Sequence, residues 1–127
     1  MAEPLTGIRV LLIEDHEDSR DLLAESLQFQ GAAVMAVATA EQAVPKLADA
    51  DIIVTDYLLP AADGVRVLEQ VNASGHIVPV IALSGFAESQ LPRLASSPFA
   101  RKLLKPVDPW DLGREILNVL RPTRTPS

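Results

Sequence analysis

The chain has 127 residues, 48% of them apolar and 22% charged, which fits one globular domain with a packed core and argues against global disorder. Seventeen acids against eleven bases give a net charge of −6, which disfavours non-specific nucleic-acid binding, where many Lys and Arg must neutralise phosphates. The absence of cysteine excludes disulfides, thiol catalysis and Cys-ligated metal, and two histidines are too few for a His-rich metal site.

Residues 1–7 lack the basic-then-apolar pattern of a signal peptide, and no apolar run approaches the ~20 residues of a membrane span, so a soluble cytoplasmic protein is expected. They read as a lead-in to a domain over residues 8–120. Arg9–Ile13, apolar after its first residue, reads as a strand buried on both faces. Leu23 and Leu27 then lie four apart in a helical segment over 17–30, which Glu17 and Asp18 open with charge suited to a helix N-terminus. Ala33–Val37 is the second strand. Ala40, Ala43, Val44 and Leu47 follow at helical spacing; Thr39 with Gln42 forms a capping box, and Pro45 should kink or shorten that helix.

Ile52–Thr55 is the third strand, and Gly64, Val67, Leu68 and Val71 repeat the helical spacing after it. Val78–Leu83 is the fourth. The helix over 87–96 is the weakest, interrupted by Pro92 and ended by Ser96-Ser97-Pro98. Lys102–Leu104 is a short fifth strand assigned mainly by position. Leu112, Ile116, Val119 and Leu120 form a last helix begun by Asp108 and Pro109, where Trp110 should pack or cap. Residues 121–127, rich in Pro, Thr and Arg, read as a frayed tail. Five strand–helix repeats predict an α/β fold with a parallel sheet, helices on both faces and right-handed crossovers.

In such a sheet, ligands bind beyond the carboxyl ends of the strands. The first strand is followed there by Glu14 and Asp15, the third by Asp56, the fourth by Ser84 and Gly85, and the fifth by Lys105 and Pro106. Each residue alone is ordinary: an acid can cap the next helix, and a serine can make a turn. Together, three carboxylates at one edge must either hold protons or bind a cation. Oxygen-only ligands suit a hard ion such as Mg²⁺ or Mn²⁺, and a lysine and a hydroxyl beside them suit phosphate oxygens. The pattern reads as metal-assisted phosphoryl chemistry with one carboxylate as nucleophile. The acids also lie mostly early: residues 1–88 hold fourteen acids and four bases, the rest three acids and seven bases.

These residues resemble the receiver domain of bacterial two-component response regulators, over about residues 8–120. The motifs are Val10-Leu11-Leu12-Ile13-Glu14-Asp15, Asp56-Tyr57-Leu58-Leu59-Pro60-Ala61-Ala62-Asp63-Gly64, Ala82-Leu83-Ser84-Gly85 and Leu103-Leu104-Lys105-Pro106. The resemblance implies a flavodoxin-like doubly wound (βα)5 three-layer sandwich, its five-stranded parallel sheet ordered 2-1-3-4-5. It implies Asp56 as phosphoacceptor. Mg²⁺, for which Mn²⁺ can substitute, would be held by Asp15 directly, by Glu14 largely through water, by Asp56 and by the main-chain carbonyl of Leu58. Ser84 would be the switch hydroxyl, Lys105 would pair with a phosphoryl oxygen, Pro60 and Gly64 would shape the loop after Asp56, and the Lys105-Pro106 bond is often cis in the family.

Three positions depart from the family pattern. Lys102 stands where an aromatic switch residue is usual, with Phe99 close by in sequence. Pro92 falls in the fourth helix, and Glu14 replaces the commoner Asp. The implied partners are a sensor histidine kinase or histidine phosphotransfer protein and a downstream protein, with no direct contact to nucleic acid or membrane. The resemblance leaves the oligomeric state open; any homodimer would use the face of the fourth helix, fifth strand and fifth helix, or the first and fifth helices. Pro4-Leu5-Thr6-Gly7 also resembles the entry to receivers fused in hybrid histidine kinases, although a stand-alone chain from Met1 is the simpler expectation.

Against this signalling reading stand three others. An enzyme turning over free substrate needs a pocket beyond the phosphate site, so no enzymatic activity is expected apart from Mg²⁺-dependent self-phosphorylation and autodephosphorylation. A flavodoxin-type cofactor binder needs a Gly-, Ser- or Thr-rich loop where Glu14-Asp15 would repel an anion. A phosphorylation-independent scaffold would not need the acids and lysine. The bulky Leu58 and Phe86 predict slow autodephosphorylation, His16 reads as an exposed loop residue, and Arg121 and Arg124 as a solvated tail.

Overall fold

A computed structural model describes residues 3–59 and 62–121. Five strands, β1 (Arg9–Ile13), β2 (Ala33–Val37), β3 (Ile52–Asp56), β6 (Val80–Ser84) and β7 (Arg101–Leu104), form one parallel sheet. Its order is β2-β1-β3-β6-β7, which is 2-1-3-4-5 counting these strands alone. A two-residue antiparallel ribbon, β4 (Leu58–Leu59) with β5 (Ala62–Asp63), follows β3.

Successive strand residues point to opposite faces and so feed two separate cores. Val10, Leu12, Ile52, Val54, Ile81 and Leu83 bury against α1 (Glu17–Phe29) and α5 (Pro109–Leu120), through Leu27, Leu112 and Ile116. Leu11, Ile13, Ile53, Val80 and Ala82 bury against α2 (Ala40–Ala43) with the 3₁₀ segment Val44–Asp49, α3 (Gly64–Ser74) and α4 (Pro92–Ser96). The sandwich thus has helices on both faces of the sheet.

Caps set the helix starts. Thr39 accepts from the Gln42 N–H, Asp63 from Val65, and Asp108 from both Trp110 and Asp111. The Gln42 side chain reaches the N–H of Ala38, one residue before the cap. Pro45 ends the α-helical hydrogen bonding, and the chain continues as 3₁₀ turns. That change of period turns Val44 out to solvent, although helical spacing assigned it to the buried stripe.

The fourth strand begins at Val80, not Val78, because Pro79 has no N–H for the ladder; its carbonyl accepts from Ile53. At Pro92 the expected weak helix divides into a 3₁₀ turn, Glu88–Gln90, and the five-residue α4. Within the lead-in, Leu5 is fully buried in the α1/α5 core and its N–H donates to the Gln30 carbonyl. Gly31, at φ +106°, permits this entry: a Cβ there would fall 2.8 Å from atoms of Glu3 and Thr6. Of the expected tail, Arg121 caps α5, and residues 122–127 lie outside the described residues, as do Pro60 and Ala61. Among the described residues, no helix is long and apolar enough to cross a membrane.

Candidate functional site

The carboxyl edge of the sheet gathers the residues singled out in the sequence. Glu14 and Asp15 leave β1 beside Asp56, the last residue of β3, and one carboxylate oxygen from each lies within 4.8 Å of the others. Glu14 and Asp56 are buried, at 2% and 3% exposure, and Asp15 is exposed. Lys105 follows β7, its N–H donating to the Ser84 carbonyl, and the Lys105-Pro106 peptide is cis. Its Nζ lies 2.6 Å from Asp56 Oδ1 and 3.6 Å from Glu14 Oε1.

One ammonium therefore faces two buried carboxylates. Asp56 Oδ1 is held by this ion pair, whereas the second oxygen of the other carboxylate, Glu14 Oε2, is buried without a partner. Burial raises the Asp56 carboxyl above the ordinary carboxylate range, and Lys105 only partly opposes this. Three oxygen donors in a small volume, one of them carrying a buried atom, Glu14 Oε2, with neither a hydrogen bond nor an ion pair, fit a hard divalent cation. Leu58, in β4, has an exposed side chain.

Ser84 ends β6, but its hydroxyl turns onto its own loop. Oγ donates to the Phe86 carbonyl (2.8 Å) and accepts from the Phe86 N–H (3.0 Å). Lys102 sits opposite Ala82 on β7 and reaches α4, with Nζ 2.8 Å from the Ala95 carbonyl and 4.0 Å from Glu88 Oε2. Phe99 fills the core instead, edge-on to Tyr57 at 6.3 Å. Gly64 passes close beneath: a Cβ there would be 3.3 Å from the Asp56 carbonyl and 3.4 Å from the Phe99 ring. Trp110 packs edge-on against Phe29, both largely exposed.

Two further residues bear on this edge. His16 caps α1, with Nδ1 accepting from the Ser19 N–H, so it orders the turn after Asp15. Arg20, in the first turns of α1, donates from Nη1 to the Glu14 carbonyl (3.1 Å). The sequence signal for Arg20 was its isolation, one base among Glu17, Asp18 and Asp21. Beside the edge, a groove of about 430 Å³ runs between α1 and the loop before α5, lined by Glu14, Leu22, Leu23, Lys105 and Val107.

Comparison with known proteins gives this arrangement a family. The chain is 32% identical over 117 residues to an uncharacterized 14.6 kDa protein of Leptolyngbya boryana, covering 88% of this chain and 89% of that one. It is 31% identical over 124 residues to the sensor protein TorS of Escherichia coli, covering 92% of this chain but 13% of TorS. It spans about half or less of the length of other curated relatives it matches. The structure of response regulator protein TrrA from Thermotoga maritima, in complex with Mg(2+)-BeF, superposes with a TM-score of 0.74 at 22% identity. That match covers 89% of this chain and 99% of TrrA, and it shows a shared fold. Residues 10–117, from β1 into α5, match the family described as the response regulator receiver domain, and the chain belongs to that family.

Proposed function

We propose that the chain takes a phosphoryl group from a phosphohistidine onto Asp56 and signals through protein–protein contacts. The observation that carries this reading is Lys105 Nζ, 2.6 Å from Asp56 Oδ1, with Glu14 and Asp15 beside it. In the transfer, an Asp56 carboxylate oxygen bonds to phosphorus as the P–N bond of the donor breaks, and the electron pair of that bond returns to the imidazole. Lys105 then pairs with a phosphoryl oxygen rather than with Asp56, and stabilises the charge carried there. Ser84 exchanges its two bonds to Phe86 for one to the phosphoryl group. Asp15, Glu14 through water, Asp56 and the Leu58 carbonyl would hold Mg²⁺ or Mn²⁺, which when bound supplies positive charge beside the phosphoryl oxygens.

The donor would be a sensor histidine kinase or histidine phosphotransfer protein in the cytoplasm, and the output a downstream protein. The domain would run over residues 8–120, and its turnover would be limited to its own phosphorylation and dephosphorylation. Likeness to a small part of TorS supports a second placement, as the receiver module of a hybrid histidine kinase.

Intact mass after incubation with acetyl phosphate and Mg²⁺ tests the reading. One added phosphoryl group is expected, lost in Asp56→Asn and in chelator. No gain with acetyl phosphate or with a phosphohistidine donor would favour a phosphorylation-independent scaffold.

A further inference from the structure

We infer that Arg20 is a positioning residue for the cation site, acting through the main chain of Glu14. The inference rests on the reading of Glu14, Asp15 and Asp56 as that site.

Asp15 is the exposed member of the three acids, and its carboxylate takes no hydrogen bond or ion pair among the described residues. Glu14 and Asp56 are held by burial and by Lys105. The backbone, and with it the peptide that joins Asp15 to Glu14, therefore sets the point from which the Asp15 carboxylate reaches the site. That residue is gripped from two sides. The Glu14 N–H donates to Val37 at the end of β2 (3.0 Å), and the Glu14 carbonyl accepts from Arg20 Nη1 (3.1 Å). The Arg20 bond is thus a direct restraint on the plane of the Glu14–Asp15 peptide.

The guanidinium is committed to this carbonyl although acids crowd the same helix. Glu17, Asp18 and Asp21 lie within three residues of Arg20, yet its side-chain hydrogen bond among the described residues goes to Glu14. Arg20 is partly buried there, so the bond is shielded from competition by water. Partners that orient metal ligands without touching the metal commonly govern affinity.

Two effects of removing Arg20 have opposite signs, which makes the inference testable. A cation beside an acidic pocket repels Mg²⁺, so its electrostatic loss alone would tighten Mg²⁺ binding. Loss of positioning would weaken it. Calorimetric Mg²⁺ titration of the full chain should show binding to Arg20→Met weakened about tenfold. Arg20→Lys, which keeps the charge and a donor, should recover part of the loss. Melting in chelator should show both variants folded, and Arg20→Gln gives the same comparison if the methionine variant does not fold. Unchanged or tighter binding in folded Arg20→Met or Arg20→Gln overturns the inference. No binding to wild type, or undiminished binding to Asp15→Asn, overturns the cation-site reading beneath it instead.

Discussion

Lys102 donates from Nζ to the main-chain oxygen of Ala95, 2.8 Å away, and so joins the edge strand β7 to the last turn of α4. An ammonium at a helix C-terminus meets carbonyls that have no partner within the helix. Because Glu88 is 4.0 Å from the same Nζ, one side chain also reaches the loop that leads from Ser84 into α4. Lys102→Ala should leave the Asp56 mass gain intact, lower stability by about 1 kcal/mol and raise amide exchange across residues 92–96. It should also change the affinity of the phosphorylated form for its output partner. Exchange mass spectrometry and a binding titration check the two effects. Equal partner affinity in variant and wild type would sink a switching role for Lys102.

Two aspartates should respond to pH with opposite signs. Asp56 has its carboxyl raised by burial, so its ionised form costs stability at neutral pH. In chelator, Asp56→Asn should melt above wild type at pH 7. The gap should narrow as pH falls through the raised value, and close below the ordinary carboxylate range. Asp51 accepts from the Arg9 N–H (2.8 Å) and from its Nη2 (3.1 Å), and Arg9 holds its carboxyl below the ordinary range. Its contribution is present above that range and is lost as pH falls through the lowered value. Asp51→Asn should therefore melt below wild type at pH 7, with the gap closing only in strong acid. Melting curves across pH check both.

Gly113, on α5, faces Gln30, which is buried and donates from Nε2 to the Pro109 carbonyl (3.0 Å). A Cβ on Gly113 would lie 2.0 Å from Gln30 Oε1. Alanine usually stabilises a helix interior by about 1 kcal/mol over glycine. Here the sign should reverse, with Gly113→Ala costing roughly 1–3 kcal/mol through displacement of the amide. Adding Gln30→Ala should remove the clash and give strong coupling in a double-mutant cycle followed by urea unfolding. Additive effects would mean that Gln30 moves aside freely.

Leu58 and Phe86, two residues beyond Asp56 and Ser84, are both about half exposed at the carboxyl edge. Bulky apolar groups there should hinder an attacking water. The phosphorylated chain should persist for minutes or longer, and Leu58→Asn with Phe86→Ala should shorten that lifetime. Loss of the phosphoryl group from wild type within seconds, followed by intact mass, contradicts this.

The sheet and its loaded edge were legible because parallel strands buried on both faces are written as short apolar runs, each followed by its polar residue. What could not be read depended on geometry beyond local sequence. Ser84 was expected at the edge and is there, but its bonds to Phe86 follow from the turn after β6. Lys102 was marked as a departure without a partner, because Ala95 and Glu88 meet it only through tertiary packing. His16 is the exposed loop residue that the sequence predicts, but its capping bond to Ser19 could not be read, because imidazole is a rare helix cap. Val44 fitted a helical stripe until Pro45 changed the period beneath it.

The two cores meet across the sheet backbone. The α1/α5 slab and the α2/α3/α4 slab are packed by opposite faces of the same strands. At the carboxyl edge this separation ends. Glu14 and Asp15 lead into α1 and Lys105 toward α5, while Asp56 leads toward α3 and Ser84 toward α4. A substitution within either core acts first on one slab. A charge added at the edge would sit where the chain leaves the sheet for four helices on both faces, as a rivet driven through both plates.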